Sequence, residues 1–481
     1  MDKDVEKDVE KQNSSNEHDD AEKTAEQDTE YCILTSLEKT GIVIILGLTA
    51  LWSTLSSSIY FPALPSLSKD FDADPGLMNV SVVVYLICQG MVPTFFGPVA
   101  DSFGRRPSIL FCLSGYVAIC AGLSKCKYFW QLVVLRCFQA AFIAPTVSIG
   151  FGVVGDMCTR QTRGSYVGYV SGITISGQGF GGLIGAGLAN RFSWRGIFVF
   201  TSIGSGCVLV LNFFFLPETN RKLVGNLSVI PKRVWNKSPA LLLLRDRLTK
   251  GNGQYTQSIS RLSFFTPFKI LLNFKVFLIL VACGLQFATF TMMLTSLSTT
   301  LQSKYNYTII DVGLCYLAPG MGTVCGSVSS GKILDWLFKR RKAAYDQLCM
   351  NLEEHEKPKF DIYKVRLEAS YIPSILGICA SVVFGWCIQN RVNVAPVLIA
   401  AFILTFCTIC IMSCLTTLLV DLYPGDSSSS TSCMNLSRCL LGAAGVGALN
   451  RLVQVMGEGG CYTMMAGFCF VSNVFVYLLL R

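Results

Sequence analysis

Twelve apolar runs occupy residues 42–63, 78–100, 107–124, 128–153, 165–189, 196–216, 276–300, 312–333, 371–389, 394–419, 429–450 and 460–480. Each is close to the ~20 residues that carry a helix across ~30 Å of hydrocarbon. No water is available at that depth to satisfy open backbone groups, so runs of this kind must be helices that close their own hydrogen bonds. Composition agrees. The 481 residues are 51% hydrophobic and 15% charged, against about 25% charged in soluble domains. The expected fold is therefore an all-α membrane protein of twelve transmembrane helices. A long polar connector, 218–275, divides the runs into two sets of six, and a second one spans 337–368. The expected organisation is an acidic, disordered tail (1–40), a six-helix bundle (41–217), a middle connector (218–275) and a second six-helix bundle (276–481).

Charge is unevenly placed. Residues 1–40 hold 5 Lys and no Arg against 13 Asp and Glu, a net of −8, so with +9 for the whole chain the rest carries +17. Connectors after even-numbered spans hold Arg105, Arg106, Arg160, Arg163 and the run from Lys339 to Lys342. Connectors after odd-numbered spans hold isolated cations such as Lys69, Lys125, Lys127, Lys304 and Arg391. By the positive-inside bias the even-numbered connectors and both termini are expected in the cytoplasm. Basic loops beside an anionic leaflet account for the surplus without nucleic acid. The 21 Cys lack metal-ligand spacing and read as small apolar residues, so no metal, cofactor or enzyme activity is expected. Asn306-Tyr307-Thr308 falls in an outer connector and is a candidate glycosylation sequon, although its closeness to the membrane weighs against use.

One turn is written twice. Gly97-Pro98-Val99-Ala100-Asp101-Ser102-Phe103-Gly104-Arg105-Arg106-Pro107 joins the second and third spans, and Gly331 to Arg341 repeats it 234 residues later. In both copies an Asp (Asp101, Asp335) follows the Gly by four residues, and a basic pair (Arg105-Arg106, Lys339-Arg340) by eight and nine. Two copies at half-length spacing imply duplication of a helical unit, the arrangement in which two bundles rock about a central site. Ions at a membrane boundary need partners. Asp156 closes the fourth span and Asp421 the tenth. The expected pairs are Arg105 or Arg106 with Asp156, and Arg340 or Arg341 with Asp421. Asp101 is placed to accept from the N-terminal amides of the eleventh helix. Together these contacts would latch the cytoplasmic side.

The first copy resembles the G-x-x-x-D-x-x-G-R-R signature of the major facilitator superfamily, and the second its degenerate echo. Arg136-Cys137-Phe138-Gln139 resembles the superfamily's fourth-helix R-x-x-Q motif, which implies a part in proton coupling. The spacing sets Arg136 and Gln139 near one helix face, turned toward the bundle interior. Arg438, inside the eleventh span, is read the same way. Gly177, Gly181, Gly182 and Gly185 resemble the fifth-helix antiporter motif. Gly182 stands at its proline and Ala186 at its last glycine, so less kinking is expected. Small residues four apart let helix backbones approach closely.

The stretches Leu55 to Pro65, Tyr85 to Thr94, Arg136 to Asp156, Leu216 to Arg221 and Asn435 to Ala443 resemble the fungal twelve-span drug:proton antiporters, in particular the quinidine-resistance branch. That resemblance implies plasma-membrane export of drugs, and in relatives of polyamines, amino acids, short monocarboxylates or a dityrosine precursor. Ser56, Ser57, Tyr60, Tyr85, Gln89, Gln178, Gln286 and Tyr316 are the candidate chamber residues. Their apolar and aromatic character suits amphipathic or weakly cationic solutes. The first span, Ile42 to Leu64, has no Asp or Glu to carry a proton. The expected partners are a small-molecule substrate, protons and the bilayer, with the chain a monomer. A uniporter or symporter importing its solute, and a sensor that binds without flux, remain as alternatives.

Overall fold

The computed structural model describes residues 32–158, 163–227, 234–239, 272–349, 362–422 and 427–479. Most of the acidic tail, most of the middle connector, Arg160 and residues 350–361 of the loop expected over 337–368 lie outside the described residues. Helix dominates, and no strand occurs among the described residues. Ten long helices carry the fold: α1 Ser36–Ser58, α2 Pro75–Phe103, α3 Arg105–Ser124, α4 Phe129–Met157, α5 Arg163–Phe215, α6 Phe274–Lys304, α7 Leu317–Cys349, α8 Tyr371–Gln389, α9 Val394–Leu422 and α10 Ser427–Leu479.

Two of these are too long for one crossing. The apolar parts of α5 and α10 run for 50 and 48 residues, roughly 75 Å at 1.5 Å per residue. Each contains one non-helical residue: Ser193 (φ 63°, ψ 171°) and Gly457 (φ 73°, ψ 172°). These breaks fall between the fifth and sixth expected spans and between the eleventh and twelfth. Ten apolar helices among the described residues are thus long enough to cross a membrane, and each of the two divided ones is long enough to cross it twice. The first span starts earlier than its apolar run. Thr35 caps α1 in a reciprocal capping box with Glu38. The helix stops at Ser58, ahead of Pro62 and Pro65, and the chain continues through a 3-10 turn, Phe61–Ala63, and a short helix, Leu64–Asp70.

The halves repeat one packing plan. In the first, α1 packs on α5, α2 on α4, and α3 on α4 and α5. In the second, α6 packs on α10, α7 on α9, and α8 on α9 and α10. The halves meet along two seams, α2 on α10 and α5 on α7, which the duplication relates to each other.

The second copy of the turn is not a turn. α2 ends at Phe103, Gly104 takes φ 117°, and α3 begins at Arg105. At the matching place in the second half α7 runs straight through Gly331 to Arg341 and on to Cys349. The residue where Gly104 has its counterpart is Phe338, which has no easy access to positive φ, so the helix continues. The 33 residues of α7 reach about 50 Å, some 20 Å beyond a bilayer core. The chain re-enters through the short helix Ile362–Glu368.

Candidate functional site

At the end of the molecule that holds the α2–α3 turn, the two Arg of the motif divide their work. Arg105 Nε donates to Asp156 Oδ2 at 3.1 Å, in a partly shielded pair. Gly152, one helical turn before Asp156, leaves room for it: a Cβ there would stand 2.8 Å from the guanidinium. Arg106 turns the other way and caps the carbonyl end of α5. It donates to Leu216 O (2.9 Å), Phe213 O (2.7 Å) and Trp235 O (2.9 Å).

Glu218, just past α5, has no part in the sequence reading of this site. Its carboxylate accepts from the amides of Arg105 (2.9 Å), Arg106 (3.3 Å), Thr219 (3.1 Å) and Asn220 (3.0 Å). Two of these are the orphan amides that open α3, where negative charge is favoured. Burial pushes the Glu218 carboxyl up, and the amides pull it down. Gly104 is required twice over: its φ is positive, and a Cβ would run into the Glu218 carboxylate. Glu218 is legible in the sequence only as an acid closing an apolar run, because the two α3 amides it caps, those of Arg105 and Arg106, lie more than 100 residues away.

The second half corrects the expected pairing. Asp421 accepts from Arg366 Nε at 2.8 Å, not from Arg340 or Arg341. Arg341 instead pairs with Glu368 through two hydrogen bonds of 2.6 and 2.9 Å, which hold the Glu368 carboxyl below the usual carboxylate range. Arg340 lies over the Trp336 ring at 5.3 Å. The reason is the unbroken α7, which carries the basic run past the membrane and leaves Arg366, on the returning helix, to meet Asp421. The Arg105–Asp156 and Arg366–Asp421 pairs are equivalents, and each lies inside one half. In this conformation each braces its own bundle. The side chains of Asp101 and Asp335 are outside the described residues. A Cβ added at Gly97 would meet nothing within 4 Å.

Near mid-membrane, Arg136 is 1% exposed. Its guanidinium sits between the rings of Tyr60 (4.0 Å) and Tyr85 (4.1 Å). Nη1 donates to Gln139 Oε1 at 2.7 Å and to Ser56 O at 3.5 Å, and Nε has no partner among the described residues. Every hydrogen-bond partner is neutral. Burying a cation this way costs several kcal/mol. Two desolvated ring contacts, about 2 kcal/mol each, and two hydrogen bonds offset much of it. Tyr60 and Tyr85 are thus the clasp of Arg136. Tyr60 Oη is 2.7 Å from Ser81 Oγ and Tyr85 Oη donates to Ser53 O at 3.4 Å. Ser56 is buried, its hydroxyl bonded to Tyr116. Gln178 and Tyr316 do line a cavity between the halves, with Ser58, Phe61, Phe290 and Thr323, but its 10 Å³ has room for about one water. Ser57 and Gln89 are half-buried and Gln286 is buried. Arg438 Nε bonds Asn435 Oδ1 at 3.1 Å, with the guanidinium 5.3 Å from Phe287.

The glycines of the fifth span serve two faces. Gly177, Gly181 and Gly185 press against Leu51 and Thr54, Ser58, and Ile59 of the first-span region. On the other face, Gly179 meets Gly320, Gly182 meets the Tyr316 ring, and Ala186 meets Gly313 across the seam between halves. A Cβ on Gly182 would come within 2.7 Å of Tyr316, which accounts for glycine where the resembling motif has proline. Further bonds tie the halves: Ser298 Oγ to Phe61 O (2.8 Å), Asn79 Nδ2 to Val446 O (3.4 Å) and Asn450 Oδ1 (3.5 Å), and Asn435 Nδ2 to Gln89 O (2.9 Å). They run from mid-membrane to the end opposite the α2–α3 turn. A Cβ added at Gly168, Gly172 or Gly331 toward the turn end, or at Gly187, Gly206 or Gly467 elsewhere, would likewise meet nothing within 4 Å.

At the opposite end two further pairs flank the helix breaks. Trp194 Nε1 donates to Asp70 Oδ2 at 2.7 Å beside Ser193, and Lys304 pairs with Glu458 beside Gly457. Asn306 is exposed in the left-handed region, φ 54°. Thr308 of its sequon caps the short helix Ile309–Cys315 in a capping box with Asp311.

Comparison with known proteins agrees with this architecture. The family model of the Major Facilitator Superfamily matches residues 46–446. The chain is 45% identical over 469 residues to the MFS antiporter QDR2 of Candida albicans, covering 97% of this chain and 93% of that protein. It is 38% identical to the probable transporter AQR1 of Saccharomyces cerevisiae, covering 99% and 83%, and 35% identical to quinidine resistance protein 1 of the same yeast, covering 94% and 84%. Among solved structures, the partially occluded, inward-open xylose transporter XylE from E. coli superposes with a TM-score of 0.66 at 13% identity, covering 92% of this chain and 98% of that one. This chain belongs to the Major Facilitator Superfamily, within its quinidine-resistance-like branch of fungal drug-efflux transporters.

Proposed function

We propose that the chain exports small amphipathic organic compounds across the plasma membrane in exchange for protons, by alternating access. The α2–α3 turn and both termini would face the cytoplasm. One observation supports the reading: hydrogen bonds join the halves from mid-membrane to the end opposite the α2–α3 turn, which leaves the turn end as the open one. Lys and Arg concentrate at the open end, so the conformation is read as inward-facing. The Arg105–Asp156 and Arg366–Asp421 braces let each bundle move as one body. Asp101, at the end of α2, is the group best placed to latch onto α10 when the cytoplasmic side closes. A guanidinium is not a proton carrier in proteins, so the part of Arg136 in coupling would be to set the field in which another group or the solute gains and loses its proton. The neutral surroundings of Arg136 also favour a second reading, a uniporter or symporter that imports its solute.

Efflux from proteoliposomes distinguishes the two. Vesicles are loaded with a cationic drug, a weak acid or a polyamine in turn. Antiport predicts that an imposed pH gradient speeds efflux of at least one of them several-fold, and that Arg136→Ala abolishes this acceleration. Flux that ignores the gradient overturns proton exchange and favours uniport.

A further inference from the structure

Cys88 on α2 and Cys137 on α4 face each other with their Sγ atoms 2.9 Å apart. A disulfide closes at about 2.05 Å, so the two sulfurs are about 0.9 Å short of bonding distance. The pair lies midway along α2 and about a third of the way along α4. It is half-buried and lies beside two lipid-facing stripes. On α2 the exposed residues Leu77, Val80, Met91 and Phe95 recur at helical spacing, and Cys88 falls in that series. On α4 the matching series is Trp130, Val134 and Phe138, next to Cys137. The thiols are therefore open to hydrocarbon, and an oxidant that dissolves in the bilayer reaches them.

We propose that Cys88 and Cys137 are a modification site that closes to a disulfide under lipid hydroperoxide, and that this staple slows the transport cycle. In the first step one thiol takes an oxygen from the hydroperoxide, giving a sulfenic acid and the lipid alcohol. In the second, the facing thiol displaces water from the sulfenic acid and forms the S–S bond. Two thiols and one hydroperoxide thus give one disulfide, one alcohol and one water. The thiolate is the better nucleophile and the seam is apolar, so the first step is slow and the site responds to accumulated peroxide. The second is fast because the resolving thiol is already in contact.

The staple matters because of its neighbours. Cys137 follows Arg136, and Tyr85, one turn before Cys88, holds the other side of that guanidinium. Gln89 accepts from Asn435 of the other half, and Gly90 packs on Cys439. A bond at Cys88 therefore pins α2 to α4 at the point where α2 carries the seam between halves.

The test uses the full chain in liposomes of phosphatidylcholine with and without its hydroperoxide. Peptide mass mapping is expected to find Cys88 and Cys137 linked, two hydrogens lighter and separated by dithiothreitol. Solute flux is expected to fall several-fold and to recover on reduction, while Cys88→Ser and Cys137→Ser keep their untreated rate. Absence of the linked peptide overturns the site, and a linked peptide with unchanged flux overturns its effect. The flux readout rests on the proposed transport function. A chain that moves no solute before oxidation counts against that reading, and the peptide map then decides the disulfide by itself.

Discussion

Two single residues hold backbone conformations that their side chains either permit or resist. Gly104 has φ 117° and abuts the Glu218 carboxylate, which leaves no space for a methyl group. Gly104→Ala should cost about 1–3 kcal/mol through strain and through loss of amide contacts to Glu218. A lowered thermal midpoint of the detergent-solubilised protein is the measure. Ser193 sits in the same part of conformational space as Gly457, at φ 63° against φ 73°, and its side chain is exposed. Ser193→Gly should therefore raise the midpoint, by about 1 kcal/mol or somewhat more in stability. A midpoint that moves the same way in both variants would contradict the strain assignment.

At the scale of the element, the comparison of α2 with α7 explains the asymmetry of the two motif copies. A helix turns where a glycine lets it and continues where a phenylalanine does not. That one difference passes the role of Arg105 to Arg366 in the second half. A double-mutant cycle on Arg366→Ala and Asp421→Asn should give a coupling of about 0.5–2 kcal/mol, since the pair is only partly exposed. The same cycle with Arg340→Ala or Arg341→Ala should give none within error. Coupling of Asp421 to Arg341 would mean that the second copy folds as the first does.

For the whole molecule, the seams give a mechanical prediction. Asn79 and Asn450 bond across the halves at the closed end. In an Asn79→Cys, Asn450→Cys variant, oxidation should join the helices and stop turnover, with recovery on reduction. If the halves move as bodies about mid-membrane, that end must open in every cycle. Undiminished transport with the bond intact would exclude such rocking.

The sequence alone determined the twelve apolar runs, the duplication and the side that carries positive charge. Length, hydropathy and charge are properties of a segment by itself, and a bilayer reads them one segment at a time. It also named Asp156 as the counter-ion for the motif, because both groups had to sit at one boundary, but not which Arg would take it. Tertiary structure decided the partners: Glu218 under α3, Arg366 with Asp421, Tyr60 and Tyr85 around Arg136, Gly182 against Tyr316. Helices that are apolar on every face give little sign of which face meets a neighbour and which meets lipid. Their rotation and register are set by close packing of small residues and by a few buried polar contacts between segments far apart in the chain.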